Sequence, residues 1–471
     1  MCFNYASYFK GIGLAASLAL LTLAVPCYAQ EQARSADDFV DYVGVNTHLG
    51  QTVAPYANYL AVKSALINLG VRHIREGGLP PFRASYISEM KNLAATGIHT
   101  DLMLDGNWYP DGPGGYPDGY GATHINPAEV VSMLNSLAPA IDAIEGVNES
   151  NGNSTFKYLG NGFPQGTIAY DRDMFLAVKS SPRTRKIPVI LSSVADTEGT
   201  TNVYARMTAF SPGPANYIDY GNIHIYPGAD KPSYPGPWWP ESIDWQLNAA
   251  LGTQSAPGIA FGKPIIVTES GYENYNDQWQ ISERGAGIYI PRLLFEYFNR
   301  NVKRCYIYEL IDEQAQAGKE AHWGIMRSDL TPKPAYTALR NIIGILSDHG
   351  SAFRLQKLSL NITAPSTVHH TLLQKRDGTF YLVLWNEVDS YKPSLAGGSD
   401  VFNQLVSVTI GCLNANLSSV YSPDDDTGQK PTTEYTKSLS TGTITLDVPD
   451  QTLILRIPAS NSVRSHAAEH H

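Results

Sequence analysis

The sequence predicts a (β/α)8 barrel, the TIM-barrel fold, followed by a smaller antiparallel β-sandwich. Between about Tyr42 and Ile345, eight short apolar segments that end in polar or glycine residues alternate with amphipathic segments. This alternation is typical of a parallel sheet with crossover helices. After about Ser351, short alternating segments are separated by turns such as Asp-Gly and Gly-Gly, which indicates antiparallel strands. A chain of 471 residues is long enough for two or three domains.

The barrel strands are predicted where a short apolar run stops at a polar or glycine residue. These segments are Tyr42–His48, Val71–Gly77, Ile98–Gly106, Asp142–Asn148, Ile187–Ser193, Tyr220–Tyr226, Pro264–Ser270 and Arg304–Leu310. An open doubly wound sheet is the alternative arrangement. It would require a glycine-rich phosphate-binding turn after the first strand, and the segment Gly44–Gln51 is not such a turn.

The segments between these strands carry start and stop signals of helices. Asn126 is a favourable N-cap residue, Pro127 suits the first helical position, and Glu129 is favourable in the first turn. The segments Ala61–Gly70 and Pro334–Gly350 both end on glycine, the residue preferred just after a helix. Helices are therefore predicted between the strands, as a barrel requires.

The first residues are interpreted as a signal peptide over residues 1–29. Lys10 precedes the apolar run Gly11–Val25, which is too short to span a bilayer, and cleavage is expected after Ala29. We therefore expect an exported, soluble protein, either secreted or periplasmic. The other boundaries are expected at 30–350 for the barrel, 351–460 for the sandwich and 461–471 for a disordered tail.

Composition disfavours several classes of partner. The net charge is −10 and the pI is near 5.6, so the chain lacks the basic surplus that nucleic acids and anionic membranes attract. No Cys/His cluster has zinc spacing and no Asp-rich loop matches an EF-hand, so neither a metal nor another cofactor is expected. Cys305 and Cys412 follow the leader and form either one disulfide or two free buried thiols. The sequence does not indicate an oligomeric state.

Polar side chains stand at the ends of most predicted barrel strands. They are Asn46, His48, Arg75, Glu76, Asp105, Asn107, Trp108, Asn148, Glu149, His224, Tyr226, Glu269 and Glu309. The carboxyl ends of barrel strands meet at one mouth, where catalytic residues lie in enzymes of this fold. Polar groups at the tips of apolar strands cost stability, which favours a functional reason for them.

Two of these residues, Glu149 and Glu269, end the fourth and seventh strands and would face each other across the mouth. Cleavage of a glycosidic bond needs such a pair, because one carboxyl group donates a proton to the leaving oxygen while the other attacks the anomeric carbon. The dipeptide Asn148-Glu149 recurs as Asn386-Glu387 after a predicted sandwich strand. We interpret Glu387 as a surface carboxylate without a catalytic role.

The two strand ends resemble clan A of the retaining glycoside hydrolases. That clan is marked by Asn-Glu at the end of strand four and Glu at the end of strand seven, which GVNES and IVTESGY match here. VRHIREGG, HIY and HWGIMRSDLTPKPAYTAL are also similar to the clan, as is a trailing β-sandwich.

The resemblance implies that Glu149 is the general acid/base and Glu269 the nucleophile. It further implies that Asn148 binds the sugar 2-hydroxyl, that Tyr226 hydrogen-bonds the nucleophile, and that Arg75 helps to keep the nucleophile ionised. His224 would lie around the site, or it is a structural histidine. Many members end strand eight in a Trp that lines the first sugar site. Here that segment reads CYIYELIDE, so Glu309, Tyr308 or Trp323 would take that place.

Three loops at the predicted mouth are rich in Tyr, Trp, Pro and Gly: 106–124, 226–242 and 272–280. The candidates for stacking on sugar rings are Trp108, Trp238, Trp239 and Trp279. Aromatic residues of long loops also pack on one another, so this role is not specific. No dense Lys/Arg cluster occurs in these loops, which disfavours uronate-rich substrates.

The predicted function is that of a secreted retaining glycoside hydrolase acting on a β-linked oligosaccharide or polysaccharide. A transglycosidase would use the same carboxylate pair. A carbohydrate-binding barrel without catalysis is a second alternative, but it would be expected to lack one of the two glutamates. A structural or adhesion role of the sandwich, with the barrel as a scaffold, is a third.

Overall fold

The structure is a computed structural model that describes residues 29–458 with several gaps. The gaps are 52–53, 78–83, 105–126, 153–155, 196–199, 212, 234–242, 276–279, 314–317, 395–397, 403, 413–418 and 424–441. The predicted signal peptide up to residue 28 and the predicted C-terminal tail lie outside the described residues.

The predicted barrel is confirmed, because eight parallel strands form one sheet. Two short strands come before it, β1 (Gln30–Gln32) and β2 (Arg34–Ser35). The barrel strands are β3 (Val43–Asn46), β4 (His73–Gly77), β5 (His99–Met103), β6 (Ile141–Glu145), β7 (Val189–Ile190), β8 (Gly221–Ile225), β9 (Ile265–Ser270) and β10 (Arg304–Ile307). They pair in the order β7-β6-β5-β4-β3-β10-β9-β8. A parallel bridge between Ile190 and Tyr220 brings the two edges together.

Helices occupy the segments between the barrel strands. In the described part of the chain they are α1 (Ala36–Tyr42), α2 (Tyr59–Leu69), α3 (Ala84–Ala94), α4 (Pro127–Leu137), α5 (Gln165–Lys179), α6 (Thr200–Thr208), α7 (Ile243–Leu251), α8 (Glu283–Asn299) and α9 (Pro334–Leu346), with 3-10 turns at Pro214–Tyr217 and Gly318–Ala321. The predicted start of α4 at Pro127 is confirmed. Gly70 adopts the left-handed conformation after α2, as a C-cap glycine does.

Two sheets form the sandwich that follows. Its strands are β11 (Lys357–Thr363), β12 (Val368–Gln374), β13 (Phe380–Asn386), β16 (Val406–Cys412), β17 (Ser419–Tyr421), β18 (Gly442–Val448) and β19 (Leu453–Ile457), with a hairpin of β14 (Tyr391–Lys392) and β15 (Ser399–Asp400). One sheet has the order β1-β11-β16-β18 and the other β17-β19-β13-β12-β2. The segment 30–35, expected in the barrel domain, therefore belongs to the sandwich sheets.

The strand β13 fixes the sandwich to the barrel because both of its faces are buried. Phe380, Leu382 and Leu384 lie in the sandwich core. Trp385 and its neighbours on the opposite face join the barrel core, where the Trp385 ring stacks on Phe295 of α8 with centroids 5.8 Å apart. The helix α8 is thus covered by the barrel on one side and by the sandwich on the other.

Cys305 lies in β10 and is a free, buried thiol. The side chain of Cys412 lies outside the described structure, but the free state of Cys305 favours two thiols over the predicted alternative of one disulfide. Among the described residues, no helix is both long and apolar enough to cross a bilayer.

Candidate active site

The barrel mouth brings together most of the polar residues singled out in the sequence. Parallel pairing places Asn46 of β3 beside Arg75 of β4, and His224 of β8 beside Glu269 of β9. Neighbouring residues of paired strands point to the same side of a sheet. Because the four strands surround one barrel, their side chains converge on a common region.

Glu269 lies at the centre of this region and is 8% exposed. Its Oε1 accepts a hydrogen bond from Nη1 of Arg75 at 2.5 Å, and its Oε2 accepts one from the hydroxyl of Tyr226 at 2.7 Å. Burial raises the pKa of Glu269, but the charges of His224 and Arg75 and the hydrogen bonds from Tyr226 and Arg75 outweigh it and leave the pKa below its usual range. Glu269 is therefore ionised at neutral pH, as a carboxylate nucleophile must be.

Arg75 connects the carboxylates of the site. Its Nε and Nη2 donate to the two oxygens of Glu145 at 2.6 and 2.8 Å, and Nη2 also donates to Oδ1 of Asn148 at 2.9 Å. Burial lowers the pKa of Arg75, but the charges of Glu145 and Glu269 raise it well above its usual range. Glu145 was missed by the sequence reasoning. The sequence feature that could have identified it is a charged residue within an apolar strand. Glu145 stands two positions after Ala143, which faces the barrel interior, so the two side chains point to the same side.

His224 contacts both predicted catalytic glutamates. Its Nδ1 lies 2.8 Å from Oε1 of Glu149 and 3.6 Å from Oε2 of Glu269, and its Nε2 lies 2.9 Å from the hydroxyl of Thr268. The Thr268 hydroxyl has one proton and can donate it to Glu145 at 3.1 Å, so it can accept from His224. Burial lowers the pKa of His224, but Glu269 and Glu149 outweigh it and raise the pKa. When it is protonated, the imidazole can donate hydrogen bonds both to Glu149 and to Thr268.

The loop after β6 is held by Ser192 and Ser193, which follow β7, the fifth strand of the barrel. The backbone N–H of Val147 donates to Oγ of Ser192 at 2.8 Å, and that of Glu149 donates to Oγ of Ser193 at 3.0 Å. The Ser193 hydroxyl lies 3.1 Å from Oδ1 of Asn148 and donates to it. These contacts hold Glu149 in the left-handed backbone region, at φ 43°, which residues other than glycine seldom adopt.

Gly146 makes this close approach possible. A Cβ atom at this position would lie 2.1 Å from Oγ of Ser192 and 2.5 Å from Oδ1 of Asp171. A side chain here would therefore push the loop away from the serines. The strand β7 covers only Val189–Ile190, shorter than the predicted Ile187–Ser193, although the backbone N–H of Ser193 still donates to the carbonyl of Val147 at 3.1 Å.

The carboxyl groups of Glu149 and Glu269 lie close together, with one oxygen of each and one nitrogen of His224 all within 4.8 Å of one another. The Glu269 side chain is 10% exposed and that of Glu149 32% exposed. The more buried carboxylate is thus the one paired with Arg75. The more accessible one is open to solvent.

A small pocket opens beside Glu269. Its lining residues are Asn46, Thr47, His48, Gln51, Arg75, Glu76, Gly77, Met103, Glu269 and Tyr308. Most of these residues have polar side chains, which can bind the hydroxyl groups of a ligand. Burial raises the pKa of Glu76 to about 7, although Thr47 and the backbone N–H of Leu49 donate hydrogen bonds to its carboxylate.

The residues that follow β10, the eighth strand of the barrel, differ in whether they reach the pocket. Glu309 is fully buried, accepts a hydrogen bond from Tyr56 at 3.1 Å and lies 3.4 Å from Nδ1 of His48. Its carboxylate contacts these two side chains and is not among the groups that line the pocket, so the predicted contact between Glu309 and the sugar stays a prediction. Tyr308 lines the pocket instead. Trp323 packs edge-on against Tyr226, with ring centroids 4.8 Å apart.

Several predicted aromatic contacts cannot be placed. Trp108, Trp238, Trp239 and Trp279 lie outside the described residues, as do Asp105 and Asn107. The predicted role of Trp108 in substrate binding stays a prediction.

Three clusters of described residues have an arrangement that could hold a metal ion. They are His48 with Glu309 and Glu313, Glu149 with His224 and Glu269, and Glu296 with His369 and Glu387. In each cluster a histidine is paired with at least one carboxylate, which accounts for the close approach of the groups without an ion. Nothing further in these clusters points to a metal.

The second Asn-Glu dipeptide requires a correction. Glu387 is 3% exposed and does not lie on the surface as predicted. It forms an ion pair with the fully buried Arg292 of α8, with Nε and Oε2 2.7 Å apart, and accepts a hydrogen bond from the Trp385 indole at 2.9 Å. The sequence could not reveal this environment because Arg292 lies 95 positions away in another domain.

Comparisons with known proteins support the fold. Neither a family model nor a curated protein sequence matches the chain. The structure is similar to a family 39 glycoside hydrolase from the gut symbiont Bacteroides cellulosilyticus WH2, with a TM-score of 0.60 and 13% identity over 90% of this chain and 82% of that chain.

Two further solved structures cover almost the whole chain. A glucosidase from Croceicoccus marinus has a TM-score of 0.59 and 11% identity over 92% of this chain and 98% of that chain. A monomeric β-xylosidase from Caulobacter crescentus CB15 has a TM-score of 0.57 and 12% identity over 91% and 98%. At these identities the likeness shows a barrel followed by a β-sandwich, the fold class predicted from the sequence.

Proposed function

We propose that the protein is a retaining glycoside hydrolase that cleaves β-linked oligosaccharides or polysaccharides. The observation that carries this proposal is the pair of carboxyl groups of Glu149 and Glu269, with an oxygen of each within 4.8 Å, at the ends of strands four and seven. Retaining enzymes hold their carboxyl groups about 5–5.5 Å apart, whereas inverting enzymes need about 6.5–9.5 Å to admit a water molecule. The solved structures with the same two-domain fold include glycoside hydrolases, which supports the proposal.

In the first step of the proposed reaction, a carboxylate oxygen of Glu269 attacks the anomeric carbon of the sugar. The bond to the leaving oxygen breaks while the carboxyl group of Glu149 donates its proton to that oxygen. Arg75 and Tyr226 hold the attacking carboxylate ionised and oriented before the attack. A glycosyl ester of Glu269 and a free alcohol result.

In the second step, the ionised Glu149 removes a proton from water, and the water oxygen attacks the anomeric carbon. The ester bond to Glu269 breaks, so both glutamates return to their starting states. His224 can donate a hydrogen bond to Glu149 while that group carries a negative charge. Asn148 is oriented through its Oδ1 by Arg75 and Ser193, and its amide N–H would bind the sugar 2-hydroxyl.

The experiment that tests the proposal is azide rescue of two variants on a β-linked dinitrophenyl glycoside. Glu149→Ala should form the glycosyl-enzyme and then stall, and azide should release a β-glycosyl azide because azide needs no general base. Glu269→Ala should form no covalent intermediate, and azide should enter from the vacated side to give the α-glycosyl azide. The same anomer from both variants would contradict the two assigned roles.

The substrate and the site of action belong to the same proposal. A panel of β-linked polysaccharides and aryl glycosides would identify the accepted sugar. Product analysis with an added acceptor alcohol would separate hydrolysis from transglycosylation. We further propose that the enzyme acts outside the cytoplasm, because residues 1–29 have the composition of a signal peptide.

A further inference from the structure

The sandwich reaches the barrel mouth through the turn that follows β13. At the end of this strand, Oε1 of Glu387 accepts hydrogen bonds from the backbone N–H of Ser233 at 3.1 Å and from its hydroxyl at 2.9 Å. Nζ of Lys231 donates to the backbone carbonyl of Glu387 at 3.0 Å. Both residues belong to the loop that follows β8. One sandwich residue therefore holds a loop that starts at the candidate active site.

The other oxygen of Glu387 anchors the carboxylate itself. Its Oε2 is bound by Arg292 and by the Trp385 indole. Arg292 also donates to the carbonyl of Val388 at 3.0 Å. Because Arg292 and Glu387 are both buried, their separation would leave an uncompensated charge inside the protein. The carboxylate is thus a fixed point from which the loop is held.

The loop 226–233 connects this fixed point with the nucleophile. Its first residue, Tyr226, donates to Oε2 of Glu269 at 2.7 Å. Midway along it, the carbonyl of Asp230 accepts a hydrogen bond from the buried Tyr272 at 3.0 Å. Its last residue, Ser233, is bound by Glu387. A displacement of Ser233 would therefore be transmitted along a short segment to the hydroxyl of Tyr226.

We propose that Glu387 is a positioning residue for the candidate active site, which it serves by holding the loop 226–233 so that Tyr226 stays hydrogen-bonded to Glu269. The inference rests on the proposed function for its kinetic test. In this inference the sandwich contributes to the chemistry of the barrel. Glu387 of the second Asn-Glu dipeptide then positions the active site without taking part in catalysis.

Glu387→Gln is the variant that tests this inference. A neutral amide has one acceptor oxygen, so it cannot keep both Arg292 and Ser233 in place. We expect kcat to fall by roughly tenfold with a smaller change in KM, because modest misplacement of an active-site group is costly. We also expect the acidic limb of the pH profile of kcat/KM to move to higher pH. That limb reports the ionisation of Glu269, which faces Arg75, His224, Tyr226 and Glu149.

A matched control comes from the same domain junction. The hydroxyl of Thr371 in β12 donates a hydrogen bond to Oδ1 of Asn299 in α8 at 2.9 Å, so this contact also joins the sandwich to the helix α8. The described contacts of the Thr371 side chain include neither Glu387 nor the loop 226–233. Thr371→Val should therefore weaken the junction while leaving the pH profile unchanged. If the control shifts the acidic limb as much as Glu387→Gln, the effect is a general loosening and the inference is overturned.

A double-variant cycle with Tyr226→Phe tests the route. If Glu387 acts through Tyr226, Glu387→Gln should cause little additional shift of the acidic limb in the Tyr226→Phe background. Fully additive shifts would overturn this route. If Glu387→Gln does not fold, Ser233→Ala removes one of the two hydrogen bonds from the loop side and should shift the limb in the same direction by a smaller amount. No shift in a folded Ser233→Ala protein would count against the inference.

Hydrogen exchange of the peptide that spans 226–233 gives a readout without enzyme activity. Exchange in this peptide should rise in Glu387→Gln and not in Thr371→Val. A wild-type protein without glycosidase activity would contradict the proposed function, yet raised exchange would still support the coupling. An active wild-type protein, together with unchanged exchange and an unchanged pH profile in Glu387→Gln, would overturn the inference alone.

Discussion

The two Asn-Glu dipeptides of this chain follow similar apolar strands but lie in opposite electrostatic environments. Glu149 has a side chain that is 32% exposed, in a left-handed backbone conformation, and it shares His224 with a second carboxylate. Glu387 is almost fully buried and is bound by Arg292, Trp385 and Ser233. A dipeptide therefore does not determine the role of its carboxylate; the groups that surround the carboxylate do.

The difference matters for acid catalysis. Burial raises the pKa of Glu387, but the charge and hydrogen bond of Arg292 and the hydrogen bonds of Ser233 lower it to about 2. A carboxyl group with this pKa is ionised at neutral pH and cannot serve as a proton donor there. Glu149 has no arginine among its described partners. Its side chain is partly exposed and lies beside His224, so it is reached by both solvent and a basic side chain.

The largest expected effect is a loss of kcat, which should be much greater for variants at the barrel mouth than for a variant of Glu387 in the sandwich. Glu269→Ala should lower kcat by at least about 10⁴-fold, because no other described residue replaces the nucleophile. Glu149→Ala should lower kcat by about 10²–10⁴-fold on substrates with poor leaving groups. Glu387→Gln should cost only about tenfold. Steady-state kinetics of the three variants on one aryl glycoside would check this order, and a loss in Glu387→Gln as great as in Glu269→Ala would contradict it.

The second prediction concerns stability and pH at Glu387. Because its folded pKa of about 2 lies below the ordinary value of 4.5, its ionisation stabilises the protein fully above pH 4.5, and this contribution is lost as the pH falls towards 2. The shift corresponds to about 3 kcal/mol. Urea unfolding should therefore show Glu387→Gln to be less stable by roughly this amount at pH 7.

The same comparison at acidic pH provides the control. The difference in unfolding free energy between wild type and Glu387→Gln should shrink steadily between pH 4.5 and pH 2, because the wild-type carboxylate becomes protonated over this range. Thr371→Val serves as a second junction variant for comparison. A difference between wild type and Glu387→Gln that stays constant with pH would show that the ion pair with Arg292 is not the cause.

A smaller effect is expected at Ser193, which is hydrogen-bonded to the dipeptide Asn148-Glu149. Ser193→Ala removes the hydrogen bonds to the Glu149 N–H and to Asn148. The proton donor would then be misplaced, so kcat should fall by about tenfold for a poor leaving group and hardly at all for a dinitrophenyl leaving group. Equal losses on both substrates would show that Ser193 does not act through the proton donor. Ser193→Thr, which retains the hydroxyl, should restore most of the activity.

Much of the barrel was predictable because strand ends and helix caps are local signals. Seven of the eight barrel strands lie within the segments predicted for them, β6 begins one residue before its segment, and Gly70 ends α2 as its sequence indicates. The convergence of Arg75, His224, Tyr226 and Glu269 followed from the rule that barrel strands end at one mouth. These features depend only on short-range sequence and on the topology of the fold.

The features that escaped prediction depend on distant partners. Glu145 is used by Arg75 from another strand, and Glu387 is buried by Arg292 from another domain. Glu309 follows a strand end like the other candidates, but its carboxylate contacts Tyr56 and is not among the groups that line the pocket. No spacing rule contains this information, because it arises only when the elements are packed together.

The smallest expected effect tests what joins the two domains. Barrel and sandwich are connected by the burial of Trp385 and by the pair of Arg292 and Glu387, and Cys305 is a free thiol in β10. A reducing agent should therefore leave both the thermal midpoint and the activity unchanged. Thiol titration of the unfolded, unreduced protein should detect Cys305 and Cys412. A thermal midpoint that falls on reduction would show instead that a disulfide stabilises the protein. The contacts of Trp385 and of the pair Arg292–Glu387 would then contribute less to the thermal stability than their burial implies.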